Sequence, residues 1–243
     1  MHPDCEVAFP APKTFQPLPS RGILAAAGFS LKIIRQALEM KEATESVILD
    51  GLSRLIWAGE AFLAGPVLGA PMAVMALEEL ARRGAREIVF LGLAGSLKPE
   101  LKPGQLVCPD SGLSTEGTSA HYPAPLAPDQ ELRYRIISGG TQGEVLGGRI
   151  WSTDGIYRET YRLAERQKSA GARLVDMECT ALWAAARFRG LRLASLLVIA
   201  DVLDGWEHRN AFGRPEFRQG LARAAELAGR LIKSSNRTRE EGA

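Results

Sequence analysis

Cysteine, histidine and uncompensated charge are all scarce in this chain of 243 residues. Its three cysteines, Cys5, Cys108 and Cys179, are odd in number, widely spaced and form no CxxC. That excludes a disulfide framework and a cysteine-rich zinc site and favours a reducing compartment. The three histidines, His2, His121 and His208, lie far apart with no partner four residues away, so no histidine metal site is expected. Net charge is only +2 despite 23 arginines against 7 lysines, which excludes a broad electrostatic grip on nucleic acid. The opening MHPDCEVAFPAPK places an acid and prolines where a signal peptide needs an unbroken apolar core. The longest uncharged run, Ala61–Leu77, is interrupted by Gly65, Pro66, Gly69 and Pro71 and cannot span a bilayer unaided. Also missing are GxGxxG after a strand, GxxxxGK[ST], HExxH and GxSxG, and with them the usual signals of dinucleotide binding, P-loop hydrolysis, zinc proteolysis and the serine-hydrolase elbow. The expectation is a cytoplasmic protein without membrane, metal or organic cofactor.

What the chain does have is a core: 46% of its residues are apolar and 24% charged, enough for one sizeable domain. Prolines at 3, 10, 12 and 18 mark residues 1–20 as an arm, leaving 21–243 as the domain. From Arg21 onward, short apolar runs alternate with amphipathic stretches. Strands are expected at Gly22–Ala27, Glu60–Ala64, Glu87–Leu93, Gln105–Cys108, Glu144–Trp151, Arg173–Val175 and Leu193–Ala200. Helices are expected near 30–40, Pro71–Arg83, near 128–138, Tyr157–Ser169, Asp176–Phe188 and Arg214–Ser234. Gly112–Asp129 carries no periodicity and reads as a long loop, a place where function often resides. The alternation predicts an α/β fold, a three-layer α/β/α domain around a mixed, largely parallel sheet.

Three segments carry residue types suited to chemistry. Gly65–Gly104 runs glycine turn, helix, strand, glycine turn; such turns let backbone approach a ligand and offer free N–H groups, and they are equally the ordinary chemistry of α/β connections. Val175-Asp-Met-Glu-Cys-Thr places two acids at a strand-to-helix junction, where they can cap the helix or accept hydrogen bonds from sugar hydroxyls. Asp201 follows the apolar run LLVIA, at the end of a strand where open α/β sheets bind ligands and where chains also simply emerge into water.

In order and spacing, GPVLGAPMA, LEELARRGAREIVFLG, LAGSL, PGQLV, Asp176-Met177-Glu178 and Ala200-Asp201 resemble the nucleoside phosphorylase family of the uridine and hexameric purine type, whose nucleosidase relatives share its fold. The loop Glu116-Gly-Thr-Ser-Ala-His-Tyr is similar to a segment of the uridine phosphorylase branch. The resemblance covers about residues 21–232. It implies cleavage of a nucleoside N-glycosidic bond with phosphate as co-substrate, the base a purine, in a homo-oligomer (dimer or hexamer) whose subunits complete one another's sites. It assigns Glu178 to the ribose 2′- and 3′-hydroxyls, Met177 to the sugar face, Tyr157 to the base and Asp201 to protonation of base nitrogen N7. Asp176 stands where the family carries Glu, with Gly95 and Ser96 in the glycine turn. Arg54 takes the place of an arginine contributed across a subunit interface. His2, the arm or the 112–129 loop would reach a neighbouring subunit.

The chemistry agrees with those types. Breaking C1′–N develops positive charge on the sugar and negative charge on the departing base. A carboxyl group whose pKa burial has raised can protonate the base, while Glu178 fixes the ring. The departures fall at the anion site. The family's phosphate-binding arginine is replaced by Phe90 and its hydroxyl residue by Leu93, and Ala25-Ala-Ala-Gly-Phe-Ser lacks both the usual arginine and the acid of the nucleosidases. An enclosed anion needs several charge-assisted donors. Hydrolysis by water and nucleoside binding without turnover therefore stand beside phosphorolysis as expectations.

Overall fold

The computed structural model describes residues 16–204 and 207–234; the first fifteen residues of the expected arm, His2 among them, lie outside the described residues. In chain order the elements are β1 (Arg21–Ala26), α1 (Leu31–Ala37), β2 (Thr44–Ile48), β3 (Ser53–Ala58), β4 (Ala61–Val67), α2 (Ala70–Arg82), β5 (Glu87–Ser96), β6 (Leu106–Val107) and β7 (Ser111–Ser114). They continue with α3 (Gln130–Gly139), β8 (Val145–Leu146), β9 (Arg149–Ser152), α4 (Tyr161–Ser169), β10 (Ala172–Asp176), α5 (Cys179–Phe188), β11 (Arg192–Asp204), β12 (Glu207–Asn210) and α6 (Pro215–Ser234).

The strands form one twelve-stranded mixed sheet with the path β2-β3-β4-β1-β5-β10-β9-β7, β11 branching from β5 to pair with β6 and β12. Its centre is parallel: β1 pairs with β4 and β5, and β11 with β5. The strand residues alternate between two apolar layers, as the two-residue period requires. Leu24, Phe62, Ile88 and Phe90 pack with α2 and α5, while Ile23, Leu63, Val89 and Leu91 pack with α1, α3 and α6. That is the expected three-layer α/β/α architecture. Among the described residues no helix is long and apolar enough to cross a membrane.

Several local expectations change. The hairpin β2–β3 has no counterpart in the sequence reading: β2 buries only Ile48, and β3, which buries Ser53, Leu55 and Ile56, is short and carries the exposed Arg54 between them. The 112–129 segment is not wholly irregular; β7 joins β9 in parallel, and a short helical turn spans Ser119–His121. The strand expected at Glu144–Trp151 breaks at Gly147–Gly148, so that β8 joins β6 while β9 joins β10 and β7. The helix expected from Tyr157 starts at Tyr161, where the Thr160 side chain accepts from Leu163 N. Asp176 belongs to β10 rather than to the helix after it.

At the amino-terminal edge of the parallel strands, register sets Arg21, Glu87 and Arg192 in one row. Glu87 is buried, and its Oε2 meets Arg192 at 2.6 Å and Arg135 at 2.9 Å; without such donors a buried carboxylate would be strongly destabilising. Leu18 N donates to Arg83 O, and Ser20 O accepts from Arg86 and Glu87, so the end of the arm is stitched to this edge. The carboxyl-terminal ends of the same strands are left for the site.

The packing of α6 offers a test whose sign is not the obvious one. A Cβ on Gly220 would lie 2.5 Å from the backbone oxygen of Gly104 and 2.8 Å from Val198 Cγ1. Helix propensity alone gives Gly220→Ala a gain of about 1 kcal/mol. Crowding against backbone outweighs it, and a net loss of about 1–3 kcal/mol is expected. The urea midpoint reads this at constant m; a raised midpoint would contradict the contact.

Candidate active site

The carboxyl ends of β1, β4, β5 and β11 meet the amino ends of α2 and α5. Gly95 stands in the middle of this region. In register it lies between Val175 of β10 and Asp201 of β11. A Cβ at Gly95 would fall 2.7 Å from Asp201 Oδ1 and 2.9 Å from Val175 Cγ1, so only glycine lets the Asp201 carboxylate lie over the β5 backbone. Three residues beyond Val175 is Glu178, the residue preceding α5. Thus Asp201, Gly95 and the Asp176-Met177-Glu178 segment, remote in sequence, come to one end of the sheet.

Glu178 is buried, and its Oε1 accepts from Gly69 N at 2.6 Å. Gly69 precedes α2 with φ of 78°, a left-handed conformation suited to glycine, which turns this N–H toward the carboxylate. Two helix starts therefore converge on Glu178, and the amino end of a helix favours negative charge.

Asp176 does different work. Its Oδ2 accepts from Glu178 N at 3.1 Å and Cys179 N at 2.7 Å, and its Oδ1 accepts from Ser152 Oγ. Thr180 N in turn donates to Ser152 Oγ at 3.1 Å. Asp176 and Ser152 together cap the first turn of α5. The Asp176 side chain is thus engaged with two backbone N–H groups and the Ser152 hydroxyl, while Met177 remains half-buried next to it.

Two carboxyls two residues apart and out of water cannot both stay ionised cheaply. Burial, and then the neighbouring Asp176 charge, push Glu178 up to about 8, against the N–H groups of Gly69 and Met177. Burial also raises Asp176, opposed by donors from Cys179, Ser152 and Glu178. Those donors favour the ionised form of Asp176 and work against the effect of its burial. Burial raises both described thiols, Cys108 to about 12 and Cys179 likewise upward, which disfavours the thiolate form of each.

The remaining expected residues are dispersed. Ser96 is buried, and its hydroxyl closes a local turn, donating to Lys98 O at 2.7 Å and accepting from Lys98 N at 3.0 Å. Tyr157 is 96% exposed, in a turn over Ile156–Arg158. Arg54 is exposed on β3 and paired with Glu45; no hydrogen bond among the described residues joins it to Glu178. Phe90 is fully enclosed between β5 and the α2–α5 layer. Leu93, half-buried, points to where Gly28 would carry a Cβ, only 2.8 Å away. Sequence reasoning missed Gly69, Ser152 and Thr180. Gly69 lies in the first glycine turn, but nothing local marked its N–H as the partner of Glu178.

Residues 20–235 match the family model described as the phosphorylase superfamily. The chain belongs to that superfamily. A guanosine phosphorylase of Halorubrum lacusprofundi is 28% identical over 169 residues, covering 68% of this chain and 70% of that protein. Among solved structures, the purine nucleoside phosphorylase of Toxoplasma gondii in complex with immucillin-H superposes with a TM-score of 0.76 at 17% identity, over 92% of this chain and 93% of that one. An AMP nucleosidase from Bacteroides thetaiotaomicron gives a TM-score of 0.71 at 18% identity, over 93% and 91%. These structural likenesses establish the phosphorylase-superfamily fold for this chain.

The raised pKa of Glu178 has a measurable consequence. The folded chain keeps a proton that the unfolded chain, with an ordinary value of 4.5, releases. Stability attributable to this group therefore falls as pH rises from about 4.5 through 8. In Glu178→Gln, which retains an oxygen for Gly69, the decline in urea midpoint between pH 5.5 and 8.5 is expected to flatten. An unchanged decline would contradict the raised pKa.

Proposed function

We propose that this member of the phosphorylase superfamily cleaves the N-glycosidic bond of a purine nucleoside, with phosphate as the acceptor. The observation that carries the reading is the meeting of Asp201 with the Val175–Glu178 segment across Gly95. It brings a hydroxyl acceptor and a proton donor to one end of the sheet, as a sugar bearing a base requires.

In this reading Glu178 accepts the ribose 2′- and 3′-hydroxyls and Met177 packs beneath the ring. Asp176 holds the start of α5 and keeps its charge close to the sugar as C1′ becomes positive. Asp201 gives its proton to N7 as electrons move from the breaking C1′–N bond into the purine. Phosphate then attacks C1′, supported by backbone at Gly95 and Ser96.

A second copy of the chain completes the site. Arg54 and Tyr157 are both exposed, Val47, Leu52, Leu68 and Met75 are each more than half exposed, and the turn after β2 is tied to α2 through Leu49 N and Glu79. Covering this apolar surface would carry Arg54 toward a neighbour's site, where a guanidinium can serve the phosphate. The resulting homo-oligomer uses no metal or organic cofactor.

Hydrolysis is the second reading, and Leu93 favours it. Its side chain abuts Gly28 in the neighbourhood where an anion would need donors, and water needs fewer of them.

The decisive assay follows free base and sugar product from a panel of purine and pyrimidine nucleosides with and without phosphate. Phosphorolysis gives phosphate-dependent release and sugar 1-phosphate; equal rates without phosphate, with free ribose, transfer the protein to hydrolysis. Asp201→Asn is expected to lower kcat by about 10²–10⁴-fold, the range for loss of a general acid. Arg54→Ala and Glu178→Ala, each inactive alone, should regain part of the activity when unfolded and refolded together, because a mixed assembly contains one intact shared site. No cleavage of any nucleoside by the parent protein would overturn the enzymatic reading.

A further inference from the structure

Glu116 carries a buried carboxylate that belongs to none of the groups assigned above. Its Oε1 accepts from Ser114 Oγ at 2.9 Å, and Ser119 N donates to both its oxygens, at 3.2 and 3.0 Å. Thr118 N donates to Oε2. These are partners from its own loop. The remaining one comes from 64 residues away: Thr180 Oγ1 donates to Glu116 Oε1 at 3.0 Å. Burial alone would raise this carboxyl, but the donors of Ser119, Ser114 and Thr180 more than offset it and leave it below the usual range. The bond from Thr180 is therefore charge-assisted, the stronger kind of hydrogen bond.

Thr180 is also the residue whose N–H reaches Ser152 Oγ, and Ser152 Oγ donates to Asp176, which holds Glu178 N. Residues 178–180 are thus pinned from three directions: by β9 through Ser152, by β10 through Asp176, and by the loop through Glu116. The loop is itself anchored at two further points. Gly117 N donates to Asp154 Oδ2 at 2.9 Å, and the Tyr122 hydroxyl reaches Glu78 Oε1 of α2 at 3.1 Å. It can therefore transmit a fixed position to α5 instead of following it.

We propose that Glu116 is a positioning residue for Glu178: through Thr180 it sets the start of α5, and so the point from which Glu178 reaches the ribose hydroxyls. The inference rests on the reading of Glu178 as the ribose clamp. Small displacements of a positioned group are costly, with about 1 Å capable of a loss near 10²-fold, so a single polar anchor on this turn is enough to matter.

Thr180→Val removes the hydroxyl while keeping the shape of the side chain, and Thr180→Ser keeps the hydroxyl. The measurement is kcat/KM for a purine ribonucleoside and for its 2′,3′-dideoxy counterpart, which offers Glu178 nothing to hold. Thr180→Val is expected to lower the ribonucleoside value about tenfold, well inside that loss, to leave the dideoxy value nearly unchanged, and to be rescued by Thr180→Ser. In a Glu178→Gln background it should cost nothing further, since the route through Glu178 is already cut. Glu116→Gln, which replaces an acceptor by a donor facing Ser119 N, is the independent second variant and should show the same pattern.

Equal losses on both substrates, or a full additional loss in the Glu178→Gln background, would overturn the proposal and leave Glu116 as loop structure only. A parent protein that prefers the ribonucleoside, with neither variant altering that preference, also overturns it while leaving the clamp intact. A parent that does not distinguish the two substrates sinks the clamp and the proposal together.

Discussion

Burying two carboxyl groups two residues apart at the start of a helix is the constraint around which this end of the molecule is built. Asp176 is made tolerable by backbone N–H groups of α5 and the Ser152 hydroxyl, and Glu178 by the Gly69 N–H at the start of α2. Those bonds require β9, β10, α2 and α5 to converge at the carboxyl ends of the parallel strands. The convergence delivers Glu178 to the same edge as Asp201. A strongly polar cluster is thus held at the border of a core that is otherwise apolar on both sheet faces.

Much of the scaffold was legible because it repeats simple patterns. EIVFLGL and LASLLVIA announce central strands buried on both faces, and α2 and α6 announce themselves by apolar stripes. Elements at the margin were not legible. TESVI and SRLIWA pair with each other at the outside of the sheet, where TESVI buries only Ile48 and SRLIWA offers a short apolar run, and β7 depends on β9 for its regularity. Asp176 reads as a helix residue in sequence, yet it ends a strand and caps the helix from outside.

The site was legible only in part. Asp176-Met177-Glu178 and Asp201 stand out by type and place, and the fold brings them to one edge. The contacts that give them their properties span 109 residues between Gly69 and Glu178, 64 between Glu116 and Thr180, and 28 between Ser152 and Thr180. No local pattern encodes such pairs. Arg54 and Tyr157 show the complementary case: the resemblance suggested roles for them, but within one chain both face solvent.

The chemistry divides along the same line. In the proposed reading a clamp for hydroxyls and a donor for a leaving base come from this chain's own strands and helix starts, whereas Phe90 is core and Leu93 is apolar and half-buried. On that reading, specificity for the glycosidic bond and choice of acceptor are separable questions, the first resting on Glu178 and Asp201 and the second on the surroundings of Leu93. The most direct test of the first is a crystal structure with a purine C-nucleoside, whose carbon–carbon glycosidic bond cannot be cleaved. The account predicts both ribose hydroxyls on Glu178 and the purine N7 edge facing Asp201; a ligand bound elsewhere, or one touching only one of the two carboxylates, would contradict it.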